Sequence, residues 1–206
     1  VNGRYVNTGQ ICIAPDHIFV HKNHKQRFLE LSKSYIEEFF LSKEAKDCKA
    51  FGKVINDFHF KRVLDILKIE NYYGGQTNEE DQKISPTIVE IKDPANDKSD
   101  LNLNEIFGPI MKVSEFSNID ELIDIINERD KPLALYYFGK VTSNPNKDKI
   151  EKYTSSGMLV VNDVVFKVQT LFFHLEELAI RVRDLSKDLV DSDTSLMKNQ
   201  LWSSQQ

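Results

Sequence analysis

Cysteine and glycine are scarce in this chain, and nothing beyond residue 157 is glycine or proline: the final glycine is Gly157 and the final proline Pro145. The two cysteines, Cys12 and Cys48, stand in no metal-ligand or disulfide spacing, so neither a zinc site nor a disulfide framework is expected. So few thiols suit a reducing compartment, cytoplasmic or another intracellular one. The histidines (His17, His21, His24, His59 and His174) make no HExxH or comparable cluster; each reads as a surface or strand-end residue, and no metal is expected. No apolar run approaches the roughly eighteen residues of a membrane span. There is no signal-peptide profile, and a chain opening on Val1 rather than methionine reads as the interior of a longer protein. A basic stripe is also missing. With a formal net charge of -5, and lysines near 46–49 and 147–149 interleaved with acids, no nucleic-acid partner is expected.

What is present is enough for a core: 206 residues, 40% of them hydrophobic and 29% charged. His17 to His21 is a short β-type run. A helix is expected from an Asn23 cap, with Phe28, Leu31, Tyr35 and Phe39 on one face, and another after Asn56 or Asp57, with Phe60, Val63, Leu64 and Leu67 inward. Asn71 to Gly75 reads as a turn whose glycines fit no phosphate loop, and 76–83 as a polar surface loop. Ser85 to Ile91 reads as an edge or entering strand because of Pro86. The strand Ile110 to Phe116 follows, then a helix capped by Asn118 with Ile119, Leu122, Ile123 and Ile126 sharing a face. Leu133 to Phe138 has the apolar continuity of a strand covered on both faces. Asn144-Pro145 opens a helix that Gly157 closes, and Met158 to Val161 is the next strand. Strand and helix signals alternate, so the fold class is α/β with a mostly parallel sheet flanked by helices.

The chemistry centres on Cys12, in Asn7-Thr8-Gly9-Gln10-Ile11-Cys12-Ile13-Ala14-Pro15-Asp16. A thiol on a glycine-containing turn suits attack on a carbonyl carbon, since the thiolate is the best side-chain nucleophile available. The alternative is a small buried core residue. Gly3 to Cys12 resembles the nucleophile segment of the NAD(P)-dependent aldehyde dehydrogenases, with its Gly-Gln-x-Cys run. Ala14-Pro15-Asp16 is more like the branch that handles fatty and aromatic aldehydes. Glu105-Ile106-Phe107-Gly108-Pro109 and Gly157-Met158-Leu159-Val160-Val161-Asn162-Asp163 resemble two further family motifs, in the family's order.

The resemblance implies a catalytic role for Cys12, cofactor contacts from Glu105 and Phe107, and a place for Asn162 and Asp163 at the substrate mouth or in holding a strand end. It implies NAD or NADP as cofactor, a small-molecule aldehyde as substrate, and homo-oligomerisation of an intact enzyme. The family's dinucleotide-binding domain, general-base glutamate and oxyanion-hole asparagine would precede Val1. By this reading residues 1–165 are a partial catalytic domain, inactive alone. The alternatives are a catalytically dead interaction module and a non-functional product of a disrupted gene.

Residues 166–206 read as a divergent tail. The family's Pro-Phe-Gly-Gly-x-Gly-x-Ser-Gly motif is missing there, yet a permitted back-translation of Phe173 to Arg183, regrouped by one frame, spells Pro-Phe-Gly-Gly-Ile-Gly-Asn-Ser-Gly-Thr. A frameshift between about Phe166 and Phe173 is therefore expected, and the helix-like spacing of Leu175, Leu178, Val182, Leu185 and Leu189 would be accidental.

Overall fold

A computed structural model describes residues 1–40, 51–68 and 72–164. Cys48 and the whole 166–206 tail, with its expected frame slip and leucine spacing, lie outside the described residues. Those described belong to one unit, Val1–Val165.

The chain opens with a short helix α1 (Asn2–Tyr5) and a 3₁₀ turn (Val6–Gly9), then enters strand β1 (His17–His21) and helix α2 (Lys22–Phe39). Helix α3 (Asp57–Ile66) is followed by strand β2 (Tyr72–Gly74), the small hairpin β3 (Thr77–Asn78) and β4 (Lys83–Ile84), and strand β5 (Thr87–Glu90). A short helix α4 (Asp100–Leu103) precedes strand β6 (Ile110–Phe116). Helix α5 (Ile119–Asn127), strand β7 (Ala134–Tyr137), helix α6 (Pro145–Tyr153) and strand β8 (Met158–Val161) complete the described elements.

The main sheet has the order β1-β6-β5-β2; β1, β6 and β5 run parallel and β2 is antiparallel. β7 and β8 pair parallel in a second sheet. The mostly parallel α/β class read from the alternation of signals therefore holds.

Alternate residues of the central strands point to opposite faces and build two cores. Ile110 and Val89 pack with Phe60 and Val63 of α3 and with Leu67 at its C-terminal cap, while Met111, Val113 and Ile88 pack with Leu29 and Ile36 of α2. On the α3 side the face turns polar along β6, because Lys112 and Ser114, both buried, follow Ile110.

Several local expectations need correction. Helix α2 is capped by His21, whose ring accepts from the Asn23 amide, and it buries Leu29, Ser32 and Ile36; Leu31 and Phe39 are exposed. The expected aromatic stripe is displaced by part of a turn, since Phe28 and Tyr35 only flank the buried row. Tyr72 to Gly74 is a strand, not a turn, and the polar stretch after it forms the β3–β4 hairpin. β5 is an interior strand: Pro86 precedes it and removes no bond from the ladder. β7 is half-buried along its length and not covered on both faces, and α6 ends at Tyr153, short of Gly157. The caps Asn56, Asn118 and Asn144 all act as expected, each side chain accepting from an amide of the first turn.

Candidate active site

The parallel strands β1, β5 and β6 begin at the same sheet end, since His17 stands beside Lys112 and Thr87 beside Ile110. The Cys12 turn leads into β1 and the Glu105–Pro109 loop leads into β6. Topology alone therefore brings together two motifs that are far apart in sequence.

Their contact is made by glycine and sealed by charge. Gly9 has φ +71, and a side chain there would run into the Gly108 carbonyl, so the turn and the loop meet backbone to backbone. The same carbonyl accepts from Arg4 Nη2. Arg4 is 1% exposed, and its Nη1 lies 3.2 Å from Asp16 Oδ1. That oxygen also accepts from the Ile106 amide at 3.2 Å, while Asp16 Oδ2 is 2.5 Å from the buried Lys112 Nζ. Lys112 donates onward to the Asn104 carbonyl at 2.9 Å. One carboxylate thus holds two buried cations and one amide of the loop. Burial pushes the Lys112 ammonium below its ordinary range, with Asp16 opposing the fall.

Cys12 is an exposed, free thiol, which removes the alternative of a small core residue. Its turn is fixed on three sides. Gln10 bonds to Lys53 and Ile55 just before α3, the Tyr136 hydroxyl of β7 donates to the Ile13 carbonyl at 2.6 Å, and Arg4 holds Gly108.

Glu105 is exposed at the head of its loop. Desolvation, and then the Asp16 charge, push its carboxyl upward, against the pull of Arg4, Lys112 and Arg62. Phe107 is half-buried at φ 45, a left-handed backbone imposed where Arg62 Nη2 of α3 grips the Ile106 carbonyl at 2.5 Å. Gly108 sits against Val63 of the same helix.

Asn162 and Asp163 follow β8. The Asn162 amide clasps Gly139 through both its backbone groups, each bond 2.9 Å, and so ties the end of β8 to the segment after β7. Asp163 accepts from the Val164 amide, and Val164 packs on Gly3, in the segment that leads to Cys12.

His17 departs from the surface expectation. It is half-buried, with Nδ1 accepting from Arg129 at 2.9 Å and Nε2 2.8 Å from Ser114 Oγ, which itself donates to the Ile91 carbonyl. Arginine only donates, so the ring proton resides on Nε2. Burial, with Lys112 and Arg129 adding to it, pushes the imidazole down to about 2. Sequence reasoning missed this network and the Asp16 cluster. Lys112, a cation between the apolar Met111 and Val113 of β6, is the one trace of either in the sequence.

The aldehyde dehydrogenase family model matches residues 1–174. Among curated proteins the chain is similar to the mouse (Mus musculus) dimeric NADP-preferring aldehyde dehydrogenase, 36% identical over 171 residues, covering 81% of this chain and 36% of that one. It is also similar to aldehyde dehydrogenase family 3 member A2 of Pongo abelii, 38% identical over 164 residues, covering 79% of this chain and 33% of that one. The chain thus spans about a third of the length of these curated relatives. Among solved structures, the substrate-bound state of Staphylococcus aureus AldH superposes with a TM-score of 0.73 at 27% identity, over 81% of this chain and 36% of that one. The structure of PnpE with nicotinamide adenine dinucleotide, at 22% identity and a TM-score of 0.65, covers 79% of this chain and 35% of its own and shares the fold.

Proposed function

We propose, for a chain that belongs to the aldehyde dehydrogenase family, that residues 1–165 are part of a catalytic domain oxidising an aldehyde to a carboxylic acid with NAD(P)+, with Cys12 as nucleophile. The observation that carries this is the exposed thiol on a turn whose Gly9 abuts Gly108 of the Glu105–Pro109 loop.

Cys12 Sγ would add to the aldehyde carbon to give a thiohemiacetal. Oxidation at that carbon gives a thioester, and water releases the acid and restores the thiol. The Cys12 backbone N–H would face the developing oxyanion; donors of this kind are each worth about 2.7–4 kcal/mol. Bound NAD(P)+ would supply the hydride acceptor. The residues present fit such a group: Glu105 offers an exposed carboxylate that can accept from ribose hydroxyls, and Phe107, two residues on, a half-buried aromatic ring. A free thiol of this kind suits a reducing compartment.

The reaction also needs a general base, a second oxyanion donor and a dinucleotide-binding domain. We take all three to belong to the parts of an intact enzyme beyond the third that this chain spans. The expected outcome is therefore no aldehyde-dependent NAD(P)H formation by the 206-residue chain alone, assayed beside and mixed with an intact relative. Turnover by the chain alone contradicts the fragment reading. The family match ends at residue 174, and we retain the frame slip between about Phe166 and Phe173 as the reading of the tail. A transcript read through that region without an insertion or deletion refutes it.

A further inference from the structure

We infer that Gln10 is a positioning residue: it holds a strained left-handed turn in the one shape that presents Cys12, and it takes its own position from the N-terminal end of α3. The inference rests on the reading of Cys12 as nucleophile.

Asn7, Thr8 and Gly9 stand consecutively at φ 50, 60 and 71. Glycine tolerates that region and asparagine visits it, whereas a β-branched residue is a genuine outlier there. Thr8 is 1% exposed, and its Oγ1 has no hydrogen-bond partner, so no bond of its own side chain offsets the strain. Gly52 lies against that oxygen, close enough that a Cβ there would come within 2.9 Å of it. Something outside the turn must hold it.

Gln10 supplies both the closure and the outside anchor. Its backbone amide and Nε2 donate to the Asn7 carbonyl at 3.1 and 3.2 Å, while Asn7 Nδ2 returns a bond to the Gln10 carbonyl at 3.1 Å. These bonds close the turn but would travel with it. The anchor is the second set: Gln10 Nε2 donates to the Lys53 carbonyl at 3.1 Å, and Gln10 Oε1 accepts from the Ile55 amide at 2.9 Å. Ile55 immediately precedes Asn56, the cap of α3. The same helix carries Arg62, which grips the Ile106 carbonyl. Helix α3 is therefore the common frame, reaching the loop through Arg62 and the nucleophile turn through Gln10.

The test compares two reactions of one sulfur in the 206-residue chain. With p-nitrophenyl acetate, the Cys12 thiolate attacks the ester carbonyl, the acyl C–O bond breaks, nitrophenolate leaves, the thiol proton goes to solvent and an acetyl thioester remains. That step needs a thiol aligned with an oxyanion donor. Iodoacetamide alkylation, displacement of iodide at a saturated carbon, needs only an accessible thiolate. Peptide-resolved mass spectrometry follows both at Cys12. Gln10→Met keeps the length and removes every side-chain bond, and it is expected to slow acylation by about tenfold or more while alkylation stays within about twofold. Adding Thr8→Gly, which makes the left-handed turn intrinsically favourable, is expected to restore most of the lost acylation rate. Thermal unfolding is measured on each variant. Should Gln10→Met not fold, the neutral but shorter Gln10→Asn decides by the same split. Unchanged acylation, a parallel fall of both reactions, or no recovery with Thr8→Gly overturns the inference. A wild-type Cys12 that is not acylated at all overturns the nucleophile reading itself.

Discussion

Two single residues carry much of the local geometry, one by lacking a side chain and one by withholding a proton. Gly9 occupies the point where turn and loop touch, at φ +71, with the Gly108 carbonyl filling the space a Cβ would need. Gly9→Ala is expected to cost roughly 1–2 kcal/mol from the left-handed backbone alone, with the clash adding to it. A lowered urea midpoint at unchanged slope checks this. His17 is neutral in the folded protein, pushed to about 2, against an ordinary value of 6.5. The unfolded chain therefore binds one more proton than the folded one between those values, and stability rises with pH across that window. This group contributes fully above pH 6.5 and progressively less as the pH falls below it. The slope from it amounts to at most about 1.4 kcal/mol per pH unit. Chemical denaturation at pH 7 and pH 5.5 is expected to show a smaller loss in His17→Gln than in the wild type. An equal loss would mean that His17 is protonated in the folded protein.

Between elements, the Asp16 carboxylate decides whether the Cys12 turn and the Glu105–Pro109 loop stay together. Arg4 and Lys112 are 1% and 2% exposed, so neither cation has water to fall back on. Asp16→Asn leaves both buried without a counter-charge and is expected to cost about 3–5 kcal/mol. Adding Lys112→Met removes one of the stranded charges and is expected to recover part of that loss in a double-mutant cycle. No recovery would show that Lys112 is not coupled to Asp16. This scale also shows what the sequence made legible. The helices α3, α5 and α6 could be placed because each carries an asparagine cap, β6 because its apolar and polar residues alternate, and β8 because its apolar run is continuous. The apolar stripe of α2 was harder to place, because aromatics flank the buried row and mimic it. The β3–β4 hairpin is set by bonds such as the Gln76 amide to Ser85 Oγ, which hydrophobic periodicity does not record. The Asp16 cluster and the His17 pair were illegible for the same reason. Each joins residues some 90 to 112 positions apart, and the parallel pairing of β1 with β6 is what sets Asp16 and His17 beside Lys112 and Ser114.

At the scale of the whole molecule, three separated segments converge on one end of the main sheet. The Cys12 turn comes before β1, the Glu105–Pro109 loop before β6, and the residues after β8 reach Gly3 through Val164. Helix α3 and the Asp16 cluster together hold the first two in place. Among the described residues no helix is long and apolar enough to cross a membrane. The family model covers the chain to residue 174, while the curated relatives extend to about three times its span, so the proposed oxidation belongs to a longer assembly of parts. The central claim, that Cys12 is built as a nucleophile, is tested most directly by timed acyl labelling of the native chain with p-nitrophenyl acetate, with Cys12 and Cys48 resolved as separate peptides. The account predicts that Cys12 is labelled faster than Cys48, and that the difference disappears when the chain is unfolded first. Labelling of Cys12 no faster than Cys48 in the native chain would contradict it.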